Sequence, residues 1–277
     1  MNCSAQDKTL AGDSSPVESD MFKLDSRTPA AAIIWDFEGT LAVRPGRFAG
    51  ALIETAQRVA GMAVPLETIR PMLSSAFPWH SRRLSHPFAP DDDAWWRNLI
   101  DHSACSLQQL GLSKAQAREA AELSRSVYLD ARHWQLIDGA VQSLETLKSR
   151  GWTNLIMSNF APELDSVVAA LGFDRLVRTA FSSGRVGYEK PHPEYFRLVL
   201  RELRPMKAIW MIGDSVHADI LGGRAAGLKT ILVGAHAKEA NHCVAALSEI
   251  ANIVGRPSRD NHNHDFDALQ IGTASTP

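Results

Sequence analysis

Residues 33–41 read I-I-W-D-F-E-G-T-L, an apolar run that ends in two acids, Asp36 and Glu38, two positions apart. A carboxylate at the end of a buried strand costs several kcal/mol unless it is paired, hydrogen-bonded or bound to a metal. Polar residues follow three later apolar stretches as well. Ser158 and Asn159 come after T-N-L-I-M, and Lys190 stands in G-Y-E-K-P. Asp214 and Ser215 come after A-I-W-M-I-G, with Asp219 one helical turn further on. Three acids gathered at one point repel one another. A hard cation such as Mg²⁺, which takes oxygen ligands, resolves that conflict.

The pattern of elements is what gathers them. Ala31 to Trp35 is short and wholly apolar, as expected of a buried parallel strand. From Gly139 onward strands and helices alternate. The spacing predicts helices over 139–150, 162–171, 193–202 and 218–226. It predicts strands over 153–158, 179–183 and 208–214, and a last strand over 230–233. Such alternation builds a parallel sheet whose ligands sit at the carboxyl ends of the strands. Between the first strand and the rest, helices are expected over 48–61 and 66–74, then one opening at Asp91–Asp93, then one over 113–130, with no strand among them. The expected fold class is α/β: a Rossmann-like parallel sheet with helices on both faces, plus an inserted all-helical cap domain. The boundaries read as a disordered extension over 1–28, a core over 29–45 and 135–254, a helical cap over 46–134 and a flexible tail over 255–277.

D-F-E-G-T, S-N, K-P and G-D-S-V-H-A-D-I-L-G, in that order, resemble the four motifs of the haloacid dehalogenase-like (HAD) hydrolase superfamily. The resemblance spans about residues 31–250, and the inserted helices resemble the cap that many such enzymes carry after the first motif. It implies Asp36 as a nucleophile that forms an aspartyl-phosphate. It implies Mg²⁺ held by Asp36, the main-chain carbonyl of Glu38 and Asp214. Ser158 and Asn159, with nearby amides, would hold phosphate oxygens. Lys190 would neutralise Asp36 and the transferring group. Thr40, Ser215 and Asp219 would support these residues, Thr40 by closing the turn after the first strand and Asp219 by orienting Lys190 or a metal-bound water.

Glu38 departs from the pattern, because phosphatases of this type carry Asp two positions after the nucleophile. That acid protonates the leaving alcohol and then activates water. Family members that cleave carbon–halogen bonds resemble the motif with an aromatic residue there, and phosphonate-cleaving members carry a small apolar one. Keeping an acid favours phosphoester chemistry, although a side chain one methylene longer can be misplaced. Three readings stay open: a phosphomonoesterase adjusted to Glu, a slow or non-catalytic member that binds phosphorylated ligands or a protein partner, and another reaction on the same nucleophile, such as dehalogenation of a 2-haloacid or phosphoryl transfer to another acceptor.

The cap would cover the site and select the substrate, with a small phosphorylated metabolite as the expected partner. Arg44, Arg47, Trp79, His80, Arg82, Arg83, His86, Trp95 and Trp96 are its informative residues, and Arg47 is placed to face the site. His217 lies between motif positions and reads as an exposed histidine. His262 and His264 read as part of a solvated tail. A net charge of −2 over 277 residues argues against nucleic acid and anionic membranes as partners. No apolar run reaches membrane-spanning length, and the first twenty residues lack the apolar stretch of a secretory signal. Cys3, Cys105 and Cys243 are far apart, as free thiols in a reducing cytoplasm would be. Oligomeric state is left open.

Overall fold

The computed structural model describes residues 31–74, 76–77 and 92–257. The expectations for residues 1–28, for the tail beyond Pro257, and for Cys3, Trp79, His80, Arg82, Arg83, His86, Asp91, His262 and His264 lie outside the described residues.

The main sheet is built from β1 (Ala31–Trp35), β4 (Thr153–Ser158), β5 (Ala180–Ser182), β6 (Lys207–Gly213), β7 (Lys229–Val233) and β8 (His242–Val244). Its order is β5-β4-β1-β6-β7-β8, and every pairing is parallel. A second sheet is an antiparallel pair, β2 (Ala42–Val43) with β3 (Gln135–Leu136). The side chains of β1 alternate between two cores, as a strand's two-residue period requires. Ile33 and Trp35 join one apolar cluster, and Ala32 and Ile34 join the other. Burial on both faces explains why β1 reads as a continuous apolar run rather than an alternating one.

Four helices, α1 (Arg47–Ala60), α2 (Leu66–Met72), α3 (Asp92–Gln109) and α4 (Lys114–Leu129), lie between β2 and β3. Gly61 closes α1 in the left-handed conformation, and Ser113 opens α4 with a reciprocal capping box to Gln116. The remaining helices are α5 (Ala140–Ser149), α6 (Leu164–Ala170), α7 (Ser183–Val186), α8 (Pro193–Glu202), α9 (Gly222–Ala225) and α10 (Ile250–Val254). The described part of the 46–134 segment is helical and holds no strand, as expected.

Four features differ from the sequence expectations. The strand over 230–233 is not the last, because β8 follows it at the sheet edge. At three residues, H-C-V is too short to show a period. The β2–β3 pair was also not expected, since a two-residue strand has no pattern of its own. The expected helix over 218–226 begins instead as a π-helical turn over Val216–Leu221 and becomes α9 only at Gly222. The expected helix over 162–171 is shorter, because Leu164 is the first residue of α6.

Buried Asn154 ties three elements together. Its amide oxygen accepts from Trp35 Nε1 at 3.1 Å, and its Nδ2 donates to the carbonyls of Leu144 at 2.9 Å and Leu176 at 3.2 Å. Asn154→Leu keeps the volume and takes this hydrogen-bond partner from the buried Trp35 indole and Leu144 carbonyl and from the half-buried Leu176 carbonyl. Each such loss costs about 1–3 kcal/mol. Denaturant unfolding should show a stability loss of about 3 kcal/mol or more; an unchanged midpoint would contradict this account.

Candidate active site

The strand order reverses on either side of β1: β4 lies on one flank and β6 on the other. In doubly wound sheets this switch point opens a crevice at the carboxyl ends of the strands. Asp36 leaves β1 into that crevice, with its amide donating to the Ile212 carbonyl of β6 at 2.8 Å. The chain then turns tightly, and the amides of Thr40, Leu41 and Ala42 all donate to the Phe37 carbonyl. Gly39 makes this possible. Its φ is +104°, and a Cβ built there would stand 2.3 Å from Asp214 Oδ2.

The Asp36 carboxylate is buried, with two donors on one oxygen. Oδ1 accepts from Ser158 Oγ at 2.8 Å and from Lys190 Nζ at 2.7 Å. Oδ2 has only a long contact, 3.5 Å, from Thr40 Oγ1. Lys190 is 4% exposed, and its ammonium also donates to Asp219 Oδ1 at 2.6 Å. Burial works against that ammonium, but the charges of Asp219 and Asp36 outweigh it and hold its pKa above the ordinary lysine range.

Asp219 uses its other oxygen to accept the Ser215 amide at 3.0 Å, while the Ser215 hydroxyl accepts from the Ala218 amide at 3.1 Å. Ser215 thus caps the π-helical turn that presents Asp219 to Lys190. Asn159 grips the main chain of Lys190 from both sides. Its Oδ1 accepts the Lys190 amide at 2.7 Å, and its Nδ2 donates to the Lys190 carbonyl at 3.0 Å.

Carboxylate oxygens of Asp36, Asp214 and Asp219 lie within 4.8 Å of one another. Burial and the charge of Asp36 raise the Asp214 carboxyl above its usual range. Arg47 Nη2 stands 3.7 Å from Asp214 Oδ2, with its side chain 59% exposed. Arg47 holds a positive φ of 54°. That conformation is uncommon for a residue with a Cβ.

Glu38 projects from the same turn. Its Oε2 accepts from the hydroxyl of Tyr128, on α4, at 3.2 Å. Burial pushes the Glu38 carboxyl up to about 7, opposed by Arg47 and by the Tyr128 hydrogen bond. Burial, followed by the charge of Glu38, raises Tyr128 well above its ordinary range, so the phenol stays protonated and donates.

The structure therefore brings Asp36, Glu38, Thr40, Arg47, Ser158, Lys190, Asp214 and Asp219 together, with Asn159 and Ser215 bonded to the main chain behind them. His217 is exposed, as expected. Tyr128 was not anticipated from the sequence, because it lies 90 positions from Glu38 in a helix with no motif. Glu163 was missed as well. It joins the helical insertion to the loop after β4, accepting from Trp96 Nε1 at 3.0 Å and from Arg125 Nη2 at 2.8 Å. No local pattern marks either contact.

Residues 30–227 match the haloacid dehalogenase-like hydrolase family, and the chain belongs to it. It is 28% identical over 212 residues to haloacid dehalogenase-like hydrolase domain-containing protein 3 of Homo sapiens, covering 73% of this chain and 80% of that protein. It is 30% identical over 146 residues to ribulose-1,5-bisphosphate 5-phosphatase of Halopiger xanaduensis, covering 47% of this chain and 60% of that protein. The magnesium-bound crystal structure of the HAD-hydrolase YfnB from Bacillus subtilis shares the fold. It superposes with a TM-score of 0.64 at 20% identity, over 82% of this chain and 99% of that one.

Glu189, beside Lys190, is buried, and that burial pushes its carboxyl from 4.5 up to about 7 against the Ser183 hydroxyl and the Lys190 charge. Between these values the folded protein keeps a proton that the unfolded chain has released, so stability falls as pH rises through this window. Glu189→Gln removes the penalty. The variant should gain up to a few kcal/mol over the wild type at pH 8 relative to pH 4 in denaturant unfolding. An equal difference at both pH values would refute the burial argument.

Proposed function

We propose that this hydrolase removes phosphate from a small phosphorylated metabolite through an aspartyl-phosphate on Asp36, with Mg²⁺ as its cofactor. One observation carries the reading: Asp36 has one oxygen saturated by Ser158 and Lys190 and the other nearly bare, beside a second acid that can hold a proton. Asp36 attacks phosphorus, and the bond from phosphorus to the leaving oxygen breaks as Glu38 gives that oxygen a proton. Glu38 then takes a proton from a water that attacks the phosphorus, and the bond to Asp36 breaks to regenerate the carboxylate. Lys190 balances charge on Asp36 and on the transferring group throughout.

The donor set fits a hard divalent cation. Both oxygens of Asp219 already accept from protein donors, so Asp36 and Asp214 are the acids with room, and the Glu38 main-chain carbonyl completes the protein ligands. The space Gly39 keeps beside Asp214 supports this assignment. When bound, Mg²⁺ supplies the positive charge that lets an anionic nucleophile approach an anionic phosphoryl group. Arg47, exposed beside the acids, is the candidate for an anionic part of the substrate. The four inserted helices serve as the cap that covers the site, and residues 29–45 and 135–254 as the core.

A halide leaves without a proton, so a protonatable Glu38 favours phosphoester cleavage over dehalogenation. The phosphatase name of one relative supports the same class.

Against a panel of phosphomonoesters with Mg²⁺, Asp36→Asn should reduce turnover by at least ~10³-fold while thermal unfolding stays cooperative. Persistent turnover by the variant would sink the covalent reading. Glu38→Gln should lower kcat/KM, which reports the steps up to departure of the leaving group, by ~10²–10⁴-fold for an alkyl phosphate and far less for p-nitrophenyl phosphate, which leaves without help. Equal losses would remove Glu38 from the proton-transfer role.

A further inference from the structure

A glutamate in place of the shorter acid carries one more rotatable bond, so its carboxyl sweeps a wider arc unless something fixes it. Small misplacements of a proton donor cost large factors in rate. The structure fixes it from outside the motif. The Tyr128 hydroxyl donates to Glu38 Oε2 at 3.2 Å. Its ring stacks on Phe160 at 5.3 Å and 26°, and meets Phe48 and Trp134 edge-on, each at 5.6 Å. Phe48 and Trp134 belong to the 46–134 segment, whereas Phe160 lies outside it, so the ring is wedged at the junction. One turn earlier on α4, Arg125 is held by Glu163. The phenol therefore cannot swing away without breaking contacts on both sides.

The other Glu38 oxygen, Oε1, is buried and has no hydrogen-bond partner. A buried polar atom without a partner calls for an explanation, and here the missing partner is a reacting group. We propose that Tyr128 is a positioning residue for proton transfer: by holding Oε2 it leaves Oε1 as the oxygen that meets the leaving group, and so offsets the extra methylene of Glu38. The proposal rests on Glu38 being the proton shuttle described above. The proton passes from Oε1 to the leaving oxygen as its bond to phosphorus breaks. In the second step Oε1 takes a proton from the attacking water as the bond to Asp36 breaks.

Tyr128→Phe keeps the ring and removes only the donor. Full-length protein with Mg²⁺ should then lose kcat for an alkyl phosphate by about tenfold or more, part of the ~10²–10⁴ that general acid catalysis supplies, with KM changed less than about twofold. Its kcat/KM for p-nitrophenyl phosphate, which reports only the steps up to departure of a leaving group that needs no proton, should fall far less than that for the alkyl phosphate. In a Glu38→Asp background the shorter side chain falls short of the phenol, so adding Tyr128→Phe should cost nothing further. Equal losses in kcat/KM for both substrates, or the same loss in both backgrounds, would overturn the positioning role while leaving Glu38 as the shuttle. If Glu38→Gln itself shows no dependence on the leaving group, the shuttle reading and this proposal fall together.

Discussion

A lysine ammonium buried between two carboxylates is the interaction on which the rest of this site depends. Removing three charges from water costs several kcal/mol each, and only close, well-aligned pairing recovers it. Lys190 meets Asp36 at 2.7 Å and Asp219 at 2.6 Å. The two acids end β1 and follow β6, and the lysine comes from the loop before α8, so three distant segments must reach one point for the charges to be tolerated. Each member is held again from behind. Asn159 bonds the Lys190 main chain, the Ser215 amide bonds Asp219, and Ser158 bonds Asp36. What remains is a carboxylate fixed on one oxygen and open on the other.

The sheet supplies the frame for that network. Its central strands β1 and β4 are buried throughout, so their register is strongly specified. Ile33 pairs with Asn154 on one side and with Trp210 on the other, and the strand ends bearing Asp36, Ser158 and Asp214 emerge together. Asn154 adds a polar lock inside this apolar frame by joining β1, α5 and the loop before β5. A fully satisfied buried amide of this kind specifies one arrangement, because any slip leaves several groups unpaired.

The helical insertion meets the core in two ways that differ in physics. Glu163 gathers Trp96 and Arg125 through charged hydrogen bonds, and the Arg125 guanidinium lies 5.6 Å from the Trp96 ring centre. Phe37, Phe48, Trp134, Phe160 and Tyr128 form an aromatic seam beneath. The seam provides apolar area and defined ring geometry, and the glutamate gives the docking direction. Phe37 precedes Glu38 in the chain and Tyr128 bonds it, so the packing of α4 bears directly on the site.

Much of this was legible in the residues themselves. An apolar run that ends in an acid marks a strand end, and strand–helix alternation forces the strands parallel, so Asp36, Ser158, Lys190 and Asp214 could be gathered without coordinates. The β2–β3 pair, β8 and the π-helical start before α9 could not be read, because they span too few residues to show a period. Nor could the partners of the motif residues. Which group stands behind Glu38 depends on how α4 rotates and seats against the core, a property of side chains 90 positions apart that no local spacing encodes. The chain's linear order determined which chemistry could be assembled and at which strand ends. Tertiary packing alone decided that Asn159 and Ser215 act through the main chain, and that Glu38 is half-buried with a phenol on one oxygen, because burial and contact are set by three-dimensional neighbours.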